Sequence, residues 1–234
     1  MFSLDAKELY SFLCSRGIKN FFHANTVMTS CTYIEHKGLM SRGFVEQMGL
    51  NQTEQSSDNL DKKFGVWNDI FLDIVDLHGY FPRQNSYGPV CFVLDLRLLL
   101  DDEFQDICIT KNNPMYWTES MVEEDKFYYS VDEYAYNYEN IEKHHDLYNH
   151  MVTIHDTFRV IPFEKYLIKI ILDNPGVKVN DVNLYERAKD KLVDSLDKSG
   201  FSIDMLETRK CSGCFCHENY LRQFTVDKLK KFFI

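Results

Sequence analysis

The chain contains neither G-x-G-x-x-G nor G-x-x-x-x-G-K-[ST], so a nucleotide cradled by a glycine-rich loop of the Rossmann or P-loop kind is not expected. No stretch approaches about 18 uninterrupted apolar residues, so no transmembrane helix and no membrane partner are expected. The opening Met1-Phe2-Ser3-Leu4-Asp5 lacks the basic start and apolar run of a secretory signal. Internal repeats and low-complexity segments are missing as well. Positive charge is scarce: 26 Lys and Arg stand against 36 Asp and Glu, for a net charge of -10. That excludes broad, salt-driven wrapping of nucleic acid but leaves room for a local basic groove that feeds a single strand to a site.

What is present fits an ordinary globular protein. With 234 residues and 44% hydrophobic content, the chain can build one substantial domain with an appendage. Aromatics reach 15%, with 18 Phe and 14 Tyr, and so many phenol hydroxyls imply tyrosines lining a surface or a cleft. The seven cysteines are an odd number. Cys14, Cys31, Cys91 and Cys108 sit in apolar or helical contexts as free thiols, which places the chain in a reducing, cytoplasmic compartment.

Read in order, residues 3–16 form a helix capped by Ser3 and ended by Gly17. Residues 90–94, 107–110, 151–154 and 167–172 are strands, the last closed by Asp173-Asn174-Pro175-Gly176. Residues 66–81 fit a helix better than a strand, which would set Asp69, Asp73 and Asp76 along one solvated flank. Pro162 opens a helical turn through Tyr166. Asn180 caps a helix that stops at Gly200, a strand follows at 201–208, and a last helix runs from Thr225 through Phe233. Short strands between helices, without strict βαβ alternation, define an α+β domain around a split or bent β-sheet. The division expected is 1–176, with 177–234 as a small helical, cysteine-containing extension packed on it.

The richest stretch is 21–42. Phe21 and Phe22 end a strand, with His23 and Asn25 at its polar edge. Thr29 caps a helix carrying Tyr33 and Ile34, and Gly38 ends it in the left-handed conformation. Leu39 returns to the core, and Ser41-Arg42 present a hydroxyl and a fixed cation, with Ser41 capping a short helix through Met48. A histidine ending the first strand, a short helix and then Gly-Leu-x-Ser-Arg resembles the opening of the DarT-like DNA ADP-ribosyltransferase toxins. The resemblance extends loosely over 18–175. It implies an ADP-ribosyltransferase-like fold and transfer of ADP-ribose from NAD to a nucleic-acid base. It also implies a toxin–antitoxin or phage-defence setting with an antitoxin protein as partner. NAD would be gripped by His23, Asn25, Ser41 and Arg42, with His23 and Arg42 acting in catalysis.

Such a transfer needs a carboxylate beside an oxocarbenium-like ribose. By the family's order it should lie just before Met151, where Asn149 and His150 stand instead. Glu139, Glu142 and Asp146 are the nearest acids. The role is assigned to Glu133, in an aromatic setting suited to raising a carboxyl pKa, with Asp146 second. Tyr116, Trp117, Tyr128 and Tyr129 are candidates for stacking a base, or are packing. Residues 51–63 are almost wholly polar and read as a solvated surface loop or as one closing over NAD. Cys211, Cys214, Cys216 and His217 have half of a structural zinc pattern and require a ligand from elsewhere. They sit in a local basic tract that includes Arg209, Lys228 and Lys231. The alternatives are a metal-dependent hydrolase or nuclease built from histidines at 144–155 and aspartates at 69–76, and a non-enzymatic interaction module.

Overall fold

The computed structural model describes residues 3–78, 86–140, 150–212 and 214–234. Helix α1 (Ala6–Ser15) buries Ala6, Leu9 and Leu13, and its cap is Asp5, whose carboxylate accepts from the amides of Lys7 and Glu8 at 2.9 Å. Ser3, two residues before, bonds instead to the Gln105 carbonyl. Strand β1 (Asn20–Asn25) leads into α2 (Val27–Glu35). Thr26 rather than Thr29 caps α2, accepting from the Thr29 amide. The helix ends with Lys37 at φ 57°, so Gly38 is not its left-handed terminator. Gly38 lies in β2 (Gly38–Leu39), paired with β7 (Ile161–Pro162), where a Cβ would stand 2.4 Å from the Ile161 carbonyl oxygen. The glycine is there for close approach of two backbones. Helix α3 (Arg42–Gln47) has the expected Ser41 cap, and α4 (Asp58–Lys63) occupies the end of the polar stretch.

Residues 66–78 are not helical. Their regular part is β3 (Ile70–Leu72), and Asp69 and Asp73 at its ends are buried rather than solvated. After it come β4 (Val90–Asp95), β5 (Ile107–Thr110), α5 (Glu123–Lys126), α6 (Val131–Asn140), β6 (Met151–Ile154) and α7 (Phe163–Tyr166). Strand β8 (Leu167–Asn174) is followed by the hairpin β9 (Lys178–Val179) and β10 (Val182–Asn183). Asn180 and Asp181 form its two-residue turn at φ 50° and 64°, so Asn180 is not a helix cap. Asn183 caps α8 (Leu184–Ser199), and Gly200 ends it at φ 76°. Strand β11 (Leu206–Lys210), α9 (Phe215–Glu218) and α10 (Val226–Phe233) complete the order.

The result is α+β. One sheet has the order β1-β4-β8-β11, antiparallel except for the parallel β8–β11 pair. In β4 every residue from Val90 to Leu94 is buried, which explains its continuous apolar run. A second sheet, β3-β6-β5, is antiparallel throughout. The two meet where Phe22 and Asp73 exchange backbone hydrogen bonds of 2.8 and 2.9 Å. Helix α8, the aromatic rings of Tyr220, Phe232 and Phe233, and the side chains of α1 and β4 belong to one core. Residues 177–234 therefore share the core of the rest of the chain, and β11 extends its main sheet. Among the described residues no helix is long and apolar enough to cross a membrane.

Candidate active site

A cleft of about 850 Å³ is lined by residues from both sheets, among them those of β1 and β3. Strand β1 lines it with His23 and Asn25, α3 with Arg42, and the polar stretch with residues 54–57 and Asp61. Trp67, Asp69 and Asp73 flank β3, Tyr87 and Tyr116 stand at one side, and Lys228 and Lys231 enter from α10. Its volume suits a ligand of drug or cofactor size.

His23 is half-buried at the sheet junction. Its Nδ1–H donates to the Phe71 carbonyl at 2.9 Å, leaving Nε2 as an acceptor, which Asn25 Nδ2 approaches at 3.3 Å. Burial lowers its pKa to about 4, the Phe71 bond opposes this, and the Arg42 charge adds to the lowering. At neutral pH His23 is an uncharged imidazole of fixed tautomer. Tyr33 lies edge-on to it, and burial pushes its phenol up to about 12. The Asn25 side-chain Oδ1 accepts from the Thr26 amide at 2.9 Å, ending β1 where α2 begins.

Arg42 is delivered by the first turn of α3. Its Nη2 donates to the Thr53 carbonyl at 3.0 Å and to Asp58 Oδ2 at 2.8 Å. Its guanidinium carbon lies 5.2 Å from the Trp67 ring. Nε and Nη1 are buried and have no hydrogen-bond partner among the described residues. The polar stretch is pinned beside it: Thr26 Oγ1 donates to Thr53 Oγ1 at 2.7 Å, and the Thr53 amide donates to Thr29 Oγ1 at 2.9 Å. Ser41 does not join the cleft. It is buried, donating to the Thr157 carbonyl and accepting from the Phe44 amide.

Asp69, which the sequence reading set on a solvated flank or in the metal-dependent alternative, and Asp61, which it did not single out, both line this cleft. Asp69 Oδ1 accepts from His155 Nδ1 at 2.7 Å and from the Asp156 amide at 3.0 Å, while Oδ2 is buried without a partner among the described residues. That bond to Asp69 raises the His155 pKa. Asp61 is raised to about 6, first by burial and further by the charges of Asp58 and Asp69, against the opposing Ser57 bond and Arg42 charge. The signal for Asp69 was present in the alternation around Ile70 and Leu72. Reading 66–81 as a helix turned that aspartate toward solvent.

Glu133 lies elsewhere. Its Oε1 accepts from Lys111 Nζ at 2.7 Å and its Oε2 from the Tyr129 amide at 2.9 Å, and it does not line the cleft. Glu139 pairs with Arg16. Glu142, His144, His145 and Asp146 fall outside the described residues. Of the candidate stacking aromatics only Tyr116 lines the cleft. Trp117 packs with Val66, Cys108 and Phe127, and Tyr128 bonds His150, both buried. His150 and His155 do not converge with Asp69, Asp73 and Asp76 as one metal-holding group among the described residues. Nor do Cys211, Cys214, Cys216 and His217: Cys216 instead stands with His78 and Asp173. Within the basic tract, Arg209 is turned inward to Asp173 and Asp76.

Compared with protein-family models and with curated proteins, the chain matches none.

Proposed function

We propose that the chain is an NAD-dependent mono-ADP-ribosyltransferase that modifies a DNA or RNA base, acting as the toxin of a toxin–antitoxin or phage-defence pair with an antitoxin protein as partner. The observation that carries this reading is Arg42, a buried guanidinium on the wall of the cleft with two N–H groups unpartnered among the described residues. Such a fork suits the oxygens of a pyrophosphate. It stands in the segment that resembles the DarT-like opening, beside a neutral His23 whose Nε2, with Asn25, can meet a ribose hydroxyl.

NAD supplies a ribose carbon bonded to a cationic nicotinamide leaving group. Asp69 Oδ2 is suited to face the positive charge that develops on the ribose as that bond breaks. Asp61, titrating near 6, is suited to take the proton of an acceptor amine at neutral pH. Lys228 and Lys231, with Tyr87 and Tyr116, offer cations and rings to a single nucleic-acid strand at the cleft mouth. In this reading Glu133 gives way to Asp69 as the catalytic carboxylate.

The test is calorimetric titration of NAD, followed by measurement of nicotinamide release with and without oligonucleotide. Binding and release in the wild type, both lost in Arg42→Gln and kept in Glu133→Gln, are expected. A wild type that neither binds NAD nor releases nicotinamide overturns the reading and promotes the hydrolase and interaction-module alternatives.

A further inference from the structure

The C-terminal segment returns to residues of the main sheet and the β3 end that are remote from it in sequence. There Asp173, near the end of β8, His78, beyond β3, and Cys216, in α9, converge with their ligand atoms all within 4.8 Å of one another. All three side chains are buried. The set offers one imidazole nitrogen, one carboxylate oxygen and one thiol sulfur, the three donor types that tetrahedral zinc takes. His78 Nδ1 and Asp173 Oδ2 are in contact, and Cys216 Sγ is 3.2 Å from the His78 carbonyl oxygen.

The Asp173 carboxylate is also held from its other side. Arg209 Nε donates to Asp173 Oδ1 at 2.7 Å and its Nη1 to Asp76 Oδ2 at 2.5 Å. One guanidinium thus serves two carboxylates, while the other oxygen of Asp173 faces His78. The arrangement also supplies what the cysteine pattern lacked: the distant histidine is His78, not the adjacent His217. Cys211 and Cys214 precede Cys216 in the same segment.

We propose that His78, Asp173 and Cys216 form a structural zinc site that fastens α9 to the end of β8. Through the turn at residues 219–223 it would also set α10, and with it Lys228 and Lys231, against the cleft. This inference does not depend on the transferase reading.

The experiment is metal analysis of the full chain, purified under reducing conditions and dialysed against metal-free buffer, together with cobalt(II) substitution. About one zinc per chain is expected, with cobalt giving thiolate charge-transfer and tetrahedral d–d absorption. Both should persist in His217→Ala and vanish in His78→Ala and Cys216→Ser. If those two variants fail to fold, the wild type decides. Zinc should then leave in step with mercurial modification of Cys216, mapped by peptide mass. Modification of Cys216 without zinc release overturns the proposal. So does a chain that carries no zinc and gives no cobalt bands, or one whose metal is lost with His217→Ala and kept with His78→Ala.

Discussion

Deleting the Arg42 guanidinium separates what it does for the fold from what it does for a ligand. The Arg42 and Asp58 side chains are only 14% and 15% exposed, and one Nη2 spans Asp58 and the Thr53 carbonyl. Arg42→Ala leaves the Asp58 carboxylate with the Gln55 amide at 3.0 Å as its remaining donor. Orphaning one member of a well-buried pair costs about 3–5 kcal/mol. The Gln55 bond and the residual solvent reduce this to about 2 kcal/mol. In a chain of this size that lowers Tm by about 4–8 °C. Asp58→Asn in the same chain removes the orphaned charge and should restore at least half of the loss. It does not restore the fork of Nε and Nη1, so the rise in Tm that NAD produces in the wild type should be absent from the single and the double variant alike. Arg42→Lys should also fail, since an ammonium cannot bridge two phosphate oxygens in a plane. Differential scanning fluorimetry with and without NAD reads both quantities. A double variant that regains the NAD-induced shift together with its stability would refute the ligand role and leave Arg42 a purely structural cation.

Asp69→Asn should keep NAD binding and lower transfer by about 10²- to 10³-fold, the range for losing one preorganised charge at a developing cation, with Glu133→Gln close to wild type in the same assay. The Asp61 carboxyl, at about 6, holds its proton more tightly in the folded chain than in the unfolded one. Its contribution to stability is therefore present at acidic pH and lost as pH rises through about 6. Asp61→Asn should melt higher than the wild type above pH 6, with the gap closing toward about pH 4; a gap independent of pH contradicts the assignment. Gly38→Ala places a Cβ 2.2 Å from Val160 Cγ1 and 2.4 Å from the Ile161 oxygen, so a loss of about 3 kcal/mol is expected by denaturant unfolding. Gly38→Asn should be no better than Ala, whereas asparagine would relieve a left-handed position.

The parts of the fold legible in the sequence are those whose signals are local. Strand β4 follows a turn and ends in one, β8 is a dense β-branched run, and Ser41 and Thr225 cap the helices that follow them. Local signals still leave choices to tertiary contacts. Thr26 and Thr29 can both cap α2. Thr26 does so because Asn25 ends the strand directly before it, and Thr29 is engaged instead by the Thr53 amide. The site was legible on the same terms. His23, Asn25 and Arg42 sit on adjoining elements and reach one cleft. Ser41, next to Arg42, turns inward because its hydroxyl caps α3. Asp69 was lost by misjudging the period of a three-residue strand whose partner, β6, lies about eighty positions on. Glu133 lay in an aromatic stretch, but composition says nothing of where Lys111 falls, and that lysine takes its carboxylate. The pairing of Cys216 with His78 spans 138 positions and leaves no trace in local spacing.

The central claim is the transfer reaction, and adenylate-labelled NAD incubated with DNA, RNA and lysate protein tests it most directly. The account predicts label on a nucleic acid with the wild type and Glu133→Gln, label reduced by about 10²-fold or more with Asp69→Asn, and none with Arg42→Ala/Asp58→Asn. Absence of label from every acceptor, or label undiminished when Arg42 is removed, would contradict it.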